Sequence, residues 1–156
     1  MKLDQLDVDE VHEYLETNPV MTANSDLEAV LQPIVASAPE RGVEDLRVLI
    51  VDENPQGTTD LRNFANELVD AGGGTVIVRA PHAVSASSED VSRAALDMAE
   101  REMMLPIRDY PDGFNAFLDV VDGYSVPWQN GSILVALSIA VVFAVLCVVW
   151  WRRSHS

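Results

Sequence analysis

Apolar residues recur every three or four positions in five stretches of the chain, a spacing that predicts amphipathic helices. Three short runs are instead continuously apolar, and bounding turn residues make them candidate strands. The five predicted helices cover residues 7–17, a second from Ser25, a third capped by Thr58 or Thr59, a fourth capped by Ser87 or Ser88, and a fifth from about Asp112 to Val121. The predicted strands are residues 46–51, residues 75–78 and an edge strand at 104–107.

Local signals mark where several helices begin and end. Ser25 and Glu28 match a capping box, in which each side chain bonds the other residue's backbone N–H. Pro33 predicts a bend or an early end of the second helix. The glycines 72–74 predict the end of the third helix, because glycine readily adopts the left-handed C′ conformation.

Together these elements predict a small layered α/β domain, a short sheet flanked by helices. The two main strands are joined through a helix. They should therefore be parallel, with a right-handed crossover.

The C-terminal part of the chain predicts one transmembrane helix, residues 132–151. The run from Ile133 to Trp151 carries no charged residue and is long enough, at about 1.5 Å per residue, to span a bilayer. Aromatic and basic residues flank the run, as expected at the two membrane interfaces. These predicted anchor residues are Trp128, Trp150, Trp151, Arg152 and Arg153.

The predicted organisation has four parts: an acidic domain (1–122), a linker (123–131), the membrane helix (132–151) and a basic tail (152–156). Arg152 and Arg153 place the tail in the cytoplasm by the positive-inside rule, and hence the domain outside. The acidic N-terminus has no apolar core and predicts no cleavable signal peptide. A cytoplasmic tail-anchored adaptor is therefore the alternative topology.

Small residues repeat every four positions within the predicted membrane helix. This spacing lets a second helix approach closely, so it indicates self-association or pairing with a partner helix, although an Ala-rich lipid-facing helix would look the same. The residues concerned are Ser132, Ala136, Ala140 and Ala144.

Charge restricts the choice of partners. Residues 1–131 carry 25 acidic and eight basic side chains, a formal charge of −17. Such a field repels nucleic acid and anionic lipid, and favours a basic partner or divalent cations. The one cysteine, Cys147, lies in the membrane run, so the domain has neither a disulfide nor a thiol nucleophile.

One loop resembles the first half of an EF-hand calcium site. Asp52, Asn54 and Asp60 supply oxygens at intervals, and Gly57 is the sixth residue. The twelfth position is Asn63 rather than glutamate, so an ordinary strand-to-helix turn is the alternative. The sequence contains no nucleophile elbow and no HExxH motif, and we expect no cofactor.

The order of the elements and the segments TVIVRAP and DYPDGFNAFLDVVDGY resemble the TPM domain, a small α/β module found mostly outside the membrane beside a transmembrane helix. The acidic N-terminal domain, the segment VEDLRVLIVDENP and the C-terminal apolar run ending in tryptophan and arginine make the chain as a whole resemble a family of single-pass actinobacterial membrane proteins. That resemblance implies an extracytoplasmic TPM-like domain and control of NlpC/P60-type peptidoglycan endopeptidases in cell separation. It assigns no catalytic residue.

The sequence therefore predicts a membrane-anchored, non-enzymatic regulator of a cell-envelope protein, with a peptidoglycan hydrolase as the expected partner. Two alternatives remain. One is a membrane-anchored, metal-dependent phosphatase that uses carboxylates near Asp52 or Asp109. The other is the cytoplasmic adaptor.

Overall fold

The computed structural model describes residues 1–106 and 108–124, and residues Met1–Tyr124 form one compact unit. The described residues contain five α-helices and one four-stranded sheet, which confirms the predicted mixed α/β class. The helices are α1 (Val8–Thr17), α2 (Ser25–Ala36), α3 (Thr58–Gly72), α4 (Arg93–Met103) and α5 (Tyr110–Tyr124). The strands are β1 (Val20–Met21), β2 (Leu46–Ile50), β3 (Thr75–Ala80) and β4 (Ala83–Ser88). Two short 3₁₀ helices cover Leu3–Gln5 and Ala38–Arg41.

The sheet has the strand order β1-β2-β3-β4. The first three strands are parallel, with Val48 of β2 opposite Ile77 of β3, so the predicted parallel pairing of β2 and β3 is confirmed. The chain then reverses at Pro81 and His82, and β4 returns antiparallel to β3.

Helices cover both faces of the sheet, and the apolar core accordingly has two parts. Leu46, Val48 and Ile50 face α2, α4 and α5, whereas Leu49 and Val51 face α1 and α3. The alternation follows from the strand geometry, in which successive side chains point to opposite faces. The domain is therefore a three-layer α/β/α sandwich.

The two parallel crossovers have opposite hands. Both connections step in the same direction across the sheet, but α2 lies on one face and α3 on the other. Parallel crossovers are right-handed in about 98% of cases, so one of these two is an exception to a strong rule. The right-handed crossover expected through α3 stays a prediction.

Several predicted elements were wrong or missing. Residues 83–88 form strand β4, so the fourth helix begins at Arg93 with Ser92 as its N-cap, and Ser87 and Ser88 do not cap it. The short strand β1 was not predicted. Residues 104–106 form no edge strand: Met104 ends α4 by donating to the Glu100 carbonyl oxygen, and Ile107 lies outside the described residues.

The helix caps also differ from the prediction. Asn24, not Ser25, caps α2, because its side-chain oxygen accepts from the N–H groups of Asp26 and Leu27. The helix then continues through Pro33 to Ala36. Gly57, not Thr58 or Thr59, is the N-cap of α3. The helix ends at Gly72, within the predicted glycines, and its C-cap Gly73 has a positive φ of 68° with a ψ of −161°, outside the left-handed helical region.

Helix α5 extends to Tyr124, two residues into the predicted linker. Within residues 1–106 and 108–124, no helix has the length and apolar character needed to cross a membrane. The predicted membrane helix and basic tail lie outside the described residues.

Candidate binding site beside strand β2

Four carboxylates surround a cleft of about 560 Å³ beside the loop that follows β2. The N-terminal segment, the loop and one face of α3 form its walls. The charged residues that line it are Asp4, Glu53, Asp60, Glu67 and a single lysine, Lys2, and the apolar ones are Leu3, Pro55 and Phe64. The cleft thus combines an acidic rim with apolar surface.

Two hydrogen bonds fix the loop that borders this cleft. Asp60, in the first turn of α3, accepts from the Gly57 N–H at 3.1 Å. Asn54 accepts from the His82 N–H at 2.8 Å and so ties the loop to the turn between β3 and β4. The loop shape therefore depends on short polar side chains, as is usual in turns.

Only one ion pair is formed by the lysine of the cleft. The ammonium of Lys2 lies 2.9 Å from Glu53. The hydrogen bond that Lys2 donates to Glu53, followed by the negative charge of Glu53, raises the pKa of Lys2. The other three carboxylates that line the cleft, Asp4, Asp60 and Glu67, form no ion pair with Lys2, so the rim of the cleft is negatively charged.

The three predicted calcium ligands all lie at this loop, but each has its own partner. Asp52 accepts from the Met1 amino group, Asn54 from His82, and Asp60 from Gly57. The described part of the chain holds no group of three or more His, Cys, Asp or Glu side chains suited to a metal ion. Neither the calcium site nor the metal-dependent phosphatase gains support from these residues.

A second polar feature is a pair of buried arginines within the sheet. Arg47 in β2 is 3% exposed, and its guanidinium donates to the carbonyl oxygens of Gly72, at 3.1 Å, and Gly73 at the C-terminus of α3. Asp45 lies 3.4 Å away. These contacts place a cation where the helix dipole is negative, so Arg47 closes the end of α3.

The other buried arginine, Arg79 in β3, has different surroundings. It is 5% exposed, and its Cζ lies 4.1 Å from the centre of the Tyr110 ring and 5.9 Å from that of Phe114. Burial lowers the pKa of Arg79, while Tyr110 and Asp109 oppose the shift. Its Nε and Nη1 atoms have no hydrogen-bond partner.

Edge strand β4 is held by two side chains of α4. Glu100 accepts from the Ala86 N–H at 2.7 Å, and Arg93 donates to the Ala86 carbonyl oxygen, also at 2.7 Å. Burial raises the pKa of Glu100, and the bond from Ala86 and the charge of Arg93 oppose that shift.

Comparison with known protein families identifies a family that covers nearly the whole chain. Residues 3–156 match the family model described as membrane protein Rv1476. The chain belongs to this membrane protein family. No curated protein and no solved structure matches it.

Membership confirms the predicted actinobacterial-type membrane protein family. A single span, the orientation and a TPM-like domain stay predictions for this family member. Two predicted sets of residues lie outside the described residues. The set at the membrane interfaces is Trp128, Trp150, Trp151, Arg152 and Arg153, and the helix-packing set is Ser132, Ala136, Ala140 and Ala144.

The sequence prediction missed both buried arginines and Glu100. A charged residue inside each apolar run, LRVLI and TVIVRA, was the available signal for Arg47 and Arg79. Nothing local marked Glu100, because its partner Ala86 belongs to a strand that was not predicted.

Proposed function

We propose that this protein is a non-enzymatic regulator, anchored in the cell membrane by residues 132–151. Its acidic α/β domain lies outside the cytoplasm, binds a basic segment of another cell-envelope protein and changes that protein's activity. The candidate partner is an NlpC/P60-type peptidoglycan endopeptidase that acts in cell separation. Membership of a membrane protein family and the resemblance of the domain to TPM modules support this proposal.

The acidic cleft is the observation that carries the proposal. A lysine or arginine of the partner can lay its aliphatic stem on Leu3, Pro55 and Phe64 while its charged head stays near the carboxylates. The negative charge of the domain also attracts a basic segment from a distance and raises the association rate.

Attachment to the membrane makes modest affinity sufficient. Two proteins confined to one envelope layer meet at a raised effective concentration, so a weak contact becomes well occupied. If a helical region of the endopeptidase blocks its own active site, binding of that region by the acidic domain shifts the enzyme toward its open form.

A reconstituted assay tests the regulation. The full chain in lipid nanodiscs is added to a purified NlpC/P60 endopeptidase, and the release of peptidoglycan fragments is measured. We expect the wild-type chain to change the rate and Glu67→Lys, in the cleft, to weaken the effect. Glu44→Lys is the matched control, because Glu44 is exposed and precedes β2, at the opposite end of that strand from the cleft. If the endopeptidase rate does not change when the wild-type chain is added, the proposal is contradicted.

A labelling experiment tests the orientation. Glu40 is exposed, so Glu40→Cys in a Cys147→Ala background provides one reactive thiol on the domain. A membrane-impermeant thiol reagent should label it in intact cells. Labelling only after lysis would support the cytoplasmic adaptor and contradict the regulatory proposal.

A further inference from the structure

Arg79 is a buried cation without an ion-pair partner among the described residues. Two of its three guanidinium nitrogens, Nε and Nη1, have no hydrogen-bond acceptor. Removing a charge from water is costly unless an opposite charge or a full set of hydrogen bonds compensates. A hydrogen bond between the Arg79 and Tyr110 side chains and the cation–π contacts with Tyr110 and Phe114 compensate only in part, because they leave Nε and Nη1 without an acceptor and a cation–π contact is worth about 0.5–2 kcal/mol.

The second buried arginine shows what compensation looks like in this fold. Arg47 donates to the carbonyl oxygens of Gly72 and Gly73, approaches Asp45 at 3.4 Å and lies 3.4 Å from His12 Nδ1. Only its Nε lacks an acceptor. A buried arginine of this sheet can therefore find hydrogen-bond acceptors, as Arg47 does. The Nε and Nη1 atoms of Arg79, by contrast, have none.

The rest of the chain supplies no acidic side chain to Arg79. Residue 107 and residues 125–156 include no aspartate or glutamate. Asp109 favours the charged form of Arg79 from a distance, but one of its oxygens accepts from the Asp112 N–H at 2.9 Å. Arg79 therefore forms no direct ion pair with a carboxylate side chain in the described part of the chain.

The position of Arg79 suits a ligand. Arg79 lies opposite Ile50 at the carboxyl ends of two parallel strands, β3 and β2. In open α/β sheets, ligands typically bind outside the carboxyl ends of the strands, most often at a topological switch point. The guanidinium also lies over the first turn of α5, where the Tyr110 ring covers it.

We propose that Arg79 binds a carboxylate ligand, which enters at the carboxyl end of β3 beside the first turn of α5. One guanidinium balances one negative charge and offers a planar fork that fits a carboxylate. A phosphate dianion would leave one charge unbalanced close to Asp109, in a domain whose field already repels anions. The inference is independent of the proposed endopeptidase regulation, since it concerns a different residue and an opposite charge.

Nuclear magnetic resonance of the full chain in detergent micelles tests the proposal. Sodium acetate is the probe, and the Nε–Hε signal of Arg79, assigned with Arg79→Lys, is the readout. We expect a saturable shift with acetate, none with sodium chloride at equal ionic strength, and weaker binding of inorganic phosphate than of acetate. Saturable shifts elsewhere should weaken at least about tenfold in Arg79→Met, as for loss of a hydrogen bond to a charged group.

Thermal unfolding without acetate separates a ligand-binding role from a structural one. Arg79→Met replaces an unpaired buried charge by an apolar side chain of similar length and should unfold at the same or a higher temperature. Arg47→Met should unfold at a lower temperature, because it leaves the carbonyl oxygens of Gly72 and Gly73 without their donor. Each of three results would overturn the proposal. The Arg79 signal does not shift with acetate, phosphate binds more tightly than acetate, or Arg79→Met unfolds at as low a temperature as Arg47→Met.

Discussion

The carboxylate of Glu100 accepts a hydrogen bond from the backbone N–H of Ala86, 2.7 Å away. Ala86 lies in the middle of β4, the outer strand of the sheet, and Arg93 satisfies its carbonyl oxygen in the same way. Both backbone groups would otherwise face away from the sheet without a partner. Helix α4 therefore closes this edge with two side chains.

Glu100→Ala should lower the free energy of unfolding by about 1–3 kcal/mol, because the N–H of a fully buried residue loses its acceptor. Glu102→Ala, on the same helix, is the control. Its side chain is 41% exposed and 3.7 Å from Arg108, so its loss should cost less than about 0.5 kcal/mol. Denaturant unfolding of the full chain in mild detergent measures both, and equal effects would contradict the edge contact.

The same carboxylate should make stability depend on pH. Burial raises the folded-state pKa of Glu100 above its ordinary value of 4.5, against the hydrogen bond from Ala86 and the charges of Arg93 and Arg62, and with a contribution from Asp97. The folded chain then holds this proton more tightly than the unfolded chain. The resulting stabilisation is complete below the unfolded pKa and is lost as the pH rises through the folded pKa.

Comparison with Glu100→Gln isolates this effect, because the amide oxygen can still accept from Ala86 but does not titrate. The stability of the wild type relative to Glu100→Gln should fall as the pH rises from below 4.5 toward neutrality. Unfolding curves of both chains across that range provide the measurement. A difference that stays constant or grows with pH would show that the pKa of Glu100 is not raised.

Gly113→Ala should destabilise the domain by about 1–3 kcal/mol through overpacking. A Cβ on residue 113 would lie 2.6 Å from Arg79 Nη1 and 2.9 Å from the backbone oxygen of Met103, which cannot easily move. Gly123→Ala is the control in the same helix: its Cβ would meet nothing within 4 Å among the described residues, so helix propensity should stabilise it by up to about 1 kcal/mol. Thermal unfolding of the two variants should therefore shift in opposite directions.

Asn24→Ala should cost about 1 kcal/mol, because Asn24 caps α2. Ser25→Ala should change the free energy of unfolding by less than about 0.5 kcal/mol, since Ser25 is an exposed residue of the first turn. Denaturant unfolding of the two variants compares the observed cap directly with the one predicted from the sequence. A larger loss of stability in Ser25→Ala than in Asn24→Ala would instead support the capping box predicted from the sequence.

Strands β2 and β3 could be predicted because most of their residues are apolar and about half are β-branched, as is typical of buried parallel strands. Strand β4 could not, because AVSASS has small side chains and little intrinsic strand preference. Its conformation depends on pairing with β3 and on Glu100 and Arg93, and these contacts are distant in sequence. The two-residue β1 is likewise formed by pairing with β2 rather than by its own sequence.

Of the three predicted calcium ligands, Asn54 and Asp60 line the cleft and Asp52 does not. The acidic loop after β2 was recognised from Asp52, Asn54 and Asp60, and the cleft does border that loop. Its oxygens, however, engage backbone N–H groups and the Met1 amino group, since turn geometry uses short polar side chains first. The unpaired state of Arg79 could not be predicted, because it depends on which side chains of α5 meet the end of β3.

The two edges of the sheet restrict how any partner can be recognised. On one side β1 offers only two paired residues, and on the other the centre of β4 is closed by Glu100 and Arg93. An extended segment of another protein would find too few free backbone groups to continue the ladder as an added strand. On the proposed function, the partner would then be recognised through side chains, by its charge and shape and not by a tendency to form β-structure.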